Sequence, residues 1–203
     1  MADLPITFGD GLAERFARIL DVETKIPRAL EALGPVAARD VLLLDGADGI
    51  RARQLGELGA RVTPVATDGP TGIAAPDASA DVAVSLWSPF HGTTPGEVAE
   101  ATRVLRPGGR LLVLLDYGRD DVSRLRGDLP EYGSLSRRNG PFLSGGFKVR
   151  VVHCFWTFAA QEDADAFLDE GFGEAGRVVA AGMKRPRLSY NVAVYHRTFG
   201  GGA

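Results

Sequence analysis

Residues 41–49 read VLLLDGADG, four apolar residues followed by a turn that contains two glycines. A short apolar run without alternation is typical of a strand buried on both faces, as in a parallel sheet covered by helices. A helix is predicted over Ile50–Leu58, and Gly59 ends it. The segment therefore predicts a strand, a turn and a helix, the first unit of a parallel α/β sheet.

The alternation of strands and helices continues to residue 115. Further strands are predicted over Arg61–Ala66, Asp81–Leu86 and Leu111–Leu115. The helix before the last of these has a marked start, with Thr94 as N-cap and Glu97 closing a capping box. This order predicts a Rossmann-like, doubly wound sheet with helices on both faces.

The flanking regions complete one predicted domain over residues 1–203, with N-terminal helices in 1–40 and an α/β core in 41–203. The predicted C-terminal elements are strands over Val149–Phe158 and Leu188–His196, and a helix around Ala164–Leu168 that stops at Gly171. Residues 127–146 are rich in Gly, Ser, Pro and Arg and are interpreted as a long loop or lid.

The second predicted strand carries two unusual features. Pro64 lies inside it, and proline is tolerated on edge strands because it has no N–H to donate. Only 15 positions separate Ala66 from Asp81, too few for a further helix and strand. Both features predict that the third strand region is shortened or missing, which leaves the second strand at the sheet edge.

Composition excludes several classes of protein. The chain has 203 residues, of which 45% are hydrophobic and 24% charged, as in globular proteins. Cys154 is the only cysteine and there are three histidines, so neither a disulfide framework nor a metal site is predicted. No apolar run reaches the roughly 20 residues of a membrane span, and no secretory signal is evident. We expect a cytoplasmic protein without a membrane partner.

Ligands of doubly wound sheets bind at the carboxyl ends of the strands. The turn over residues 45–49 follows the first strand, and its glycines would let a ligand approach the backbone. A structural alternative is a tight turn in which Asp48 caps the next helix. This turn lacks the dinucleotide fingerprint G-x-G-x-x-G, and the phosphate loop G-x-x-x-x-G-K-[ST] does not occur in the sequence.

Three segments resemble the ordered motifs of class I S-adenosylmethionine-dependent methyltransferases, of the type 11-like kind. They are LLDGADG over 43–49, ADVAVSL over 80–86 and RVLRPGGRLLV over 103–113. The resemblance implies a sheet of about seven strands with the last inserted antiparallel, and S-adenosylmethionine as cofactor. The implied cofactor-binding residues are Asp45, Gly46, Ala47, Gly49, Asp68 and Leu86. Two family acids are replaced, by Leu43 and by Ala66 at the end of the second strand.

Substrate-binding candidates follow the third and fourth predicted strands: Trp87, Phe90, Tyr117 and Arg119. Trp87 and Phe90 have packing in the core or a lid as their alternative role. His91 is the candidate general base, since histidine titrates near neutral pH.

Three hypotheses of function remain open. The first is a methyltransferase acting on a small molecule. The second is a non-catalytic binding protein on a degenerate methyltransferase scaffold, because the ribose-binding acid is missing. The third, weaker hypothesis is an RNA methyltransferase, because the segment from Arg103 to Arg150 contains ten Lys/Arg but only five Asp/Glu. These cations are scattered, which favours a solvated surface over a nucleic-acid partner.

Overall fold

The structure is a computed structural model that describes residues 4–46, 49–68, 72–127, 129 and 133–200. Its helices are α1 (Asp10–Ile19), α2 (Lys25–Leu33), α3 (Ile50–Glu57), α4 (Pro95–Val104), α5 (Asp121–Leu125), α6 (Pro141–Ser144) and α7 (Gln161–Gly182). Its strands are β1 (Asp40–Leu44), β2 (Arg61–Val65), β3 (Thr67–Asp68), β4 (Gly72–Ile73), β5 (Ala80–Leu86), β6 (Leu105–Asp116), β7 (Lys148–Thr157) and β8 (Arg187–Thr198).

Six strands form one sheet in the order β2-β1-β5-β6-β8-β7. The pairs β1–β2, β1–β5 and β5–β6 are parallel. Strand β8 is antiparallel to both of its neighbours, β6 and β7. The predicted fold is confirmed: a Rossmann-like, mostly parallel sheet with an antiparallel C-terminal strand.

Strand β2 lies at one edge of the sheet, where Pro64 stands opposite Leu43 of β1. In the described part of the chain between β2 and β5, only β3 and β4 form, and they pair with each other in a separate two-stranded sheet. The predicted loss of the third strand and the edge position of the proline are therefore both confirmed, since a proline at the edge removes no ladder hydrogen bond.

The apolar run of β1 divides between the two faces of the sheet, because side chains alternate along a strand. Val41 and Leu43 belong to the larger core cluster, which lies against α1, α2, α3, α5 and α7. Leu42 and Leu44 belong to the second cluster, which lies against α4 and α6. Burial on both faces explains why the run has no polar residue.

Helix α7 consists of two helical segments between Gln161 and Gly182, and the first ends within two residues of the predicted stop at Gly171. Its break falls at Gly173, where φ is +56°. A Cβ at Gly171 would lie 3.3 Å from both Leu12 Cδ2 and Phe8 Cε1. The absent side chain at Gly171 thus allows the close approach of the N-terminal segment, while Gly173 supplies the left-handed conformation at the break.

The segment 127–146, predicted as a loop or lid, is partly anchored in the core. Phe142 in α6 is fully buried, and its ring stacks on that of Tyr195 with a centroid separation of 3.9 Å. Positions 128 and 130–132 lie outside the described residues. Across the ranges that are described, no helix has the length and apolar character needed to cross a bilayer.

Candidate functional site

A cavity of about 540 Å³ opens beyond the carboxyl ends of β5 and β6, the edge where this class of sheet binds ligands. We call it the β5–β6 cavity. Its lining residues are Pro5, Trp87, Ser88, Pro89, His91, Leu115, Asp116, Arg126, Leu129 and Leu135. Most of these side chains are apolar, and a few polar groups converge among them, as in small-molecule sites.

The carboxylate of Asp116 organises one wall of the β5–β6 cavity. It accepts a hydrogen bond from Trp87 Nε1 at 2.8 Å and another from the Tyr190 hydroxyl. Arg126 forms an ion pair with the same carboxylate, and both side chains are mostly buried. Burial, and then the charge of Asp116, raise the pKa of Tyr190 well above its ordinary value, so its hydroxyl stays a donor. Since Arg126 balances Asp116, this wall suits a neutral ligand.

His91 contributes the one imidazole to the lining of the β5–β6 cavity. Its ring lies 5.7 Å from that of Phe142. Burial lowers the pKa of His91 below its ordinary value, although the charge of Glu97 and a hydrogen bond with the Ser88 backbone oppose the change. The imidazole is therefore neutral at pH 7 and can accept a proton.

Glu97 holds the loop that carries His91. This side chain is 3% exposed and accepts hydrogen bonds from the backbone N–H groups of His91 (2.9 Å), Thr93 (3.0 Å) and Thr94 (2.9 Å). The Thr94 hydroxyl in turn accepts from the Glu97 N–H, which confirms the predicted capping box. Burial would raise the pKa of Glu97, but these backbone hydrogen bonds outweigh it and leave that pKa below its ordinary value.

Asp45 follows β1 directly and adopts a left-handed conformation with φ of +52°. Its carboxylate accepts from the Thr67 N–H at 2.7 Å, from the Thr67 hydroxyl and from the Ser88 hydroxyl. It thereby ties together the chain segments that follow β1, β2 and β5. Most of its acceptor capacity is used within the protein, so Asp45 shapes the turn more than it offers a free carboxylate.

The other predicted cofactor-binding residues differ in their position and burial. Gly46 follows Asp45, and Gly49 is the N-cap residue of α3. Asp68 is exposed on β3, and Leu86 is buried at the end of β5 within the larger core cluster. Ala47 lies outside the described residues, as does Asp48, the alternative helix cap.

The predicted substrate-binding residues and the predicted general base, His91, do not all lie at the cavity. Trp87 and His91 both line the β5–β6 cavity. Phe90 is fully buried in the second core cluster and packs against the sheet. Tyr117 and Arg119 do not form the cavity wall; the Arg119 guanidinium lies 5.9 Å from the Tyr117 ring centroid, and Arg119 is exposed.

Sequence reasoning missed Asp116, Arg126 and Arg51. Asp116 ends β6 and immediately precedes Tyr117, so the rule that ligands bind at the carboxyl ends of strands would have found it. Arg51 lies in the first turn of α3 and is only 2% exposed, with its guanidinium 6.0 Å from the Trp87 ring and a 2.7 Å hydrogen bond to Gln54. No local pattern marks Arg51 as buried.

The basic excess between Arg103 and Arg150 does not form one surface. Arg103 pairs with Glu100 and Asp77, and Arg106 pairs with two aspartates at the amino ends of the strands. Arg126 pairs with Asp116 at the opposite end of the sheet. Among the described residues, no group of three His, Cys, Asp or Glu side chains is placed to hold a metal ion.

The fold occurs in solved methyltransferase structures. A candidate methyltransferase of an antibiotic biosynthesis pathway from Anabaena variabilis superposes with a TM-score of 0.53 at 15% identity, over 88% of this chain and 98% of that one. The YcgJ protein from Bacillus subtilis superposes with a TM-score of 0.52 at 13% identity, over 87% of this chain and 98% of that one. An S-adenosylmethionine-dependent methyltransferase from Aquifex aeolicus superposes with a TM-score of 0.50 at 16% identity, over 94% of this chain and 98% of that one. No protein-family model and no curated sequence matches the chain. At these identities the likeness shows a shared fold.

Proposed function

We propose that the chain is an S-adenosylmethionine-dependent methyltransferase that acts on a small, largely apolar acceptor. The observation that carries this proposal is the β5–β6 cavity, in which neutral His91 and Trp87 face an apolar wall at the ligand-binding edge of a methyltransferase scaffold. The balanced charges of Asp116 and Arg126 favour an acceptor without net charge.

The described residues suit a nucleoside methyl donor in their chemistry. Asp68 offers an exposed carboxylate next to β2 that can accept from a ribose diol, in place of the acid replaced by Ala66. Gly46 and Gly49 leave backbone accessible at the turn before α3. Ala47 and Leu86 are proposed to complete the cofactor contacts. The donor, when bound, would supply an electrophilic methyl group.

The protein's own residues would then position the acceptor and remove its proton. The apolar wall around Trp87 excludes water and orients the acceptor, and such positioning carries much of a displacement reaction. His91 takes the proton of the acceptor O–H or N–H, a contribution of about 10²–10⁴-fold for a well-placed base. Tyr117 and Arg119, which do not line the cavity, are proposed to contact only a larger acceptor.

Calorimetric titration with S-adenosylhomocysteine tests the cofactor site. We expect saturable binding that Asp68→Ala weakens by about 10-fold or more, since a hydrogen bond to a charged group is worth roughly 1.5–3 kcal/mol. Asp165→Ala, which removes an exposed carboxylate on α7, serves as the matched control. Absence of heat at millimolar ligand would overturn the proposal.

A second candidate function is a non-catalytic binding protein on the same scaffold. It is favoured by Asp45, whose carboxylate is used by Thr67 and Ser88, and by the loss of the third strand. In that case the β5–β6 cavity would bind small apolar molecules with no methylated product. Mass spectrometry of acceptor mixtures incubated with the methyl donor distinguishes the two functions, and a methylated product excludes the second.

A further inference from the structure

A second cavity, of about 570 Å³, shares no lining residue with the β5–β6 cavity. We call it the α7 cavity, because the C-terminal end of α7 and the start of β8 form most of its wall. Arg124 of α5 lines it, whereas Arg126, two residues later, lines the β5–β6 cavity. Its volume is in the range of about 300–1,000 Å³ that small-molecule sites occupy.

Positive charge dominates the rim of the α7 cavity. Arg124, Lys184, Arg185 and Arg187 line it, and among the described residues Asp121 is the one carboxylate in the lining. That carboxylate pairs with Arg124 and accepts hydrogen bonds from the N–H and hydroxyl of Ser189. Within the described part of the chain, neither Lys184 nor Arg185 forms an ion pair. The lining thus carries an excess of three positive charges, and the charge of Arg187 also acts on the nearby carboxylate of Glu23.

The floor of the α7 cavity is apolar. Val178 is 66% exposed, although large aliphatic side chains are usually buried, and Val179, Met183 and Leu188 lie in the same wall. Phe155 of β7 adds an aromatic face, over which the Arg187 guanidinium lies 4.3 Å from the ring centroid. Cationic and apolar side chains therefore line the same cavity side by side.

We propose that the α7 cavity binds a small anionic amphiphile, a free single-chain molecule with a phosphate head and an alkyl tail. The head would lie against Arg185 and Arg187, because guanidinium groups bind phosphate in a bidentate geometry. The tail would cover Val178 and remove its exposed apolar surface from water. An inorganic anion would leave that surface exposed, and a neutral lipid would leave the positive charges unbalanced.

Calorimetric titration of the full chain with octyl phosphate, below its micellar concentration, tests the proposal. Two matched probes separate head from tail: inorganic phosphate has the charge alone, and 1-octanol has the chain alone. We expect one octyl phosphate per protein, bound at least about tenfold more tightly than either probe. The titration contains no methyl donor, so its result is independent of the proposed methyltransferase function.

Variants locate the site. The double variant Arg185→Gln/Arg187→Gln and the single variant Val178→Asp should each weaken octyl phosphate binding by about tenfold or more. The charge-matched control Arg53→Gln/Arg138→Gln, at exposed positions outside the cavity, should bind as the parent does. Thermal unfolding of each variant checks that it is folded.

Four results would overturn the proposal. They are no heat with octyl phosphate, equal affinity for inorganic phosphate, equal affinity for 1-octanol, and unchanged binding by Arg185→Gln/Arg187→Gln. Co-sedimentation with vesicles of phosphatidylcholine and phosphatidylglycerol, without binding of free octyl phosphate, would instead identify a membrane-surface contact and exclude a site for a free amphiphile.

Discussion

Replacing Glu97 by alanine should destabilise the fold and disorganise the loop that carries His91. The buried carboxylate satisfies three backbone N–H groups at 2.9–3.0 Å, those of His91, Thr93 and Thr94. A hydrogen bond to a charged group contributes about 1.5–3 kcal/mol, and a donor left unpaired costs about 1–3 kcal/mol. Because these two energies describe the same hydrogen bonds and are not additive, we expect a loss of about 3 kcal/mol in the free energy of unfolding, less than the full sum.

The same contacts predict a dependence on pH. The pKa of Glu97 is lower in the folded chain than in the unfolded one, where it is about 4.3. The stabilisation is therefore fully present above about pH 4.3 and is lost as the pH falls through the folded pKa. The parent protein should lose this part of its stability in acid, and Glu97→Ala should not.

Urea unfolding followed by circular dichroism, repeated between pH 3 and 7, measures both effects. For a chain of this size about 3 kcal/mol corresponds to a melting temperature lower by roughly 6–12 °C. Glu57→Ala, which removes an exposed carboxylate on α3, should stay within about 0.5 kcal/mol of the parent. Equal stability of Glu97→Ala and Glu57→Ala, or the same acid dependence in both variants, would contradict this prediction.

Three further predictions concern the loop after β5 and the sheet edge. Gly92→Ala should lower the free energy of unfolding, measured in urea, by about 2–4 kcal/mol, because φ is +70° and the new Cβ would collide with Leu111 Cδ2. Gly56→Ala, whose Cβ would meet nothing within 4 Å, should not destabilise the fold. Because the pKa of His91 is lowered in the folded chain, the parent should lose stability as the pH falls below about 6.5, and His91→Asn should abolish this pH dependence. Identical curves of unfolding free energy against pH for the two proteins from pH 5 to 8 would contradict this. Pro64→Val should change stability by less than about 1 kcal/mol yet promote self-association, because it adds an N–H to the open edge of β2. Light scattering measures the self-association. Thr63→Val, in which the backbone N–H is unchanged, is the control.

Much of the fold could be predicted because local patterns report burial. Residues 41–44 contain no polar side chain, and only a strand covered on both faces requires that. Pro64 and the short interval before Asp81 predicted an edge strand without a third strand beyond it, and the sheet order confirms both. Thr94 and Glu97 predicted a helix start, because a capping box involves residues only three apart.

The candidate site could be predicted only in part, because its contacts join distant segments. Trp87 and His91, which line the β5–β6 cavity, could be selected because both follow a recognisable strand. Asp116 meets Tyr190 through the pairing of β6 with β8, and Arg126 reaches the same carboxylate from the end of α5; no local pattern encodes these contacts. The chain from Lys184 to Arg187 is plainly basic in sequence, but only the packing of α7 places it over an apolar floor.

The sequence by itself determined the alternation of strands and helices, the shortened middle of the sheet and the glycine turn after β1, because each depends on neighbouring residues. The tertiary structure alone decided how these features are used. In the folded chain the carboxylate of Asp45 accepts hydrogen bonds from Thr67 and Ser88, and these bonds stabilise the turn. Asp68 is then the exposed acid nearby. The physical reason is that periodicity reports which face of an element is buried, whereas the partner of a charged group is set by chain segments far apart in sequence.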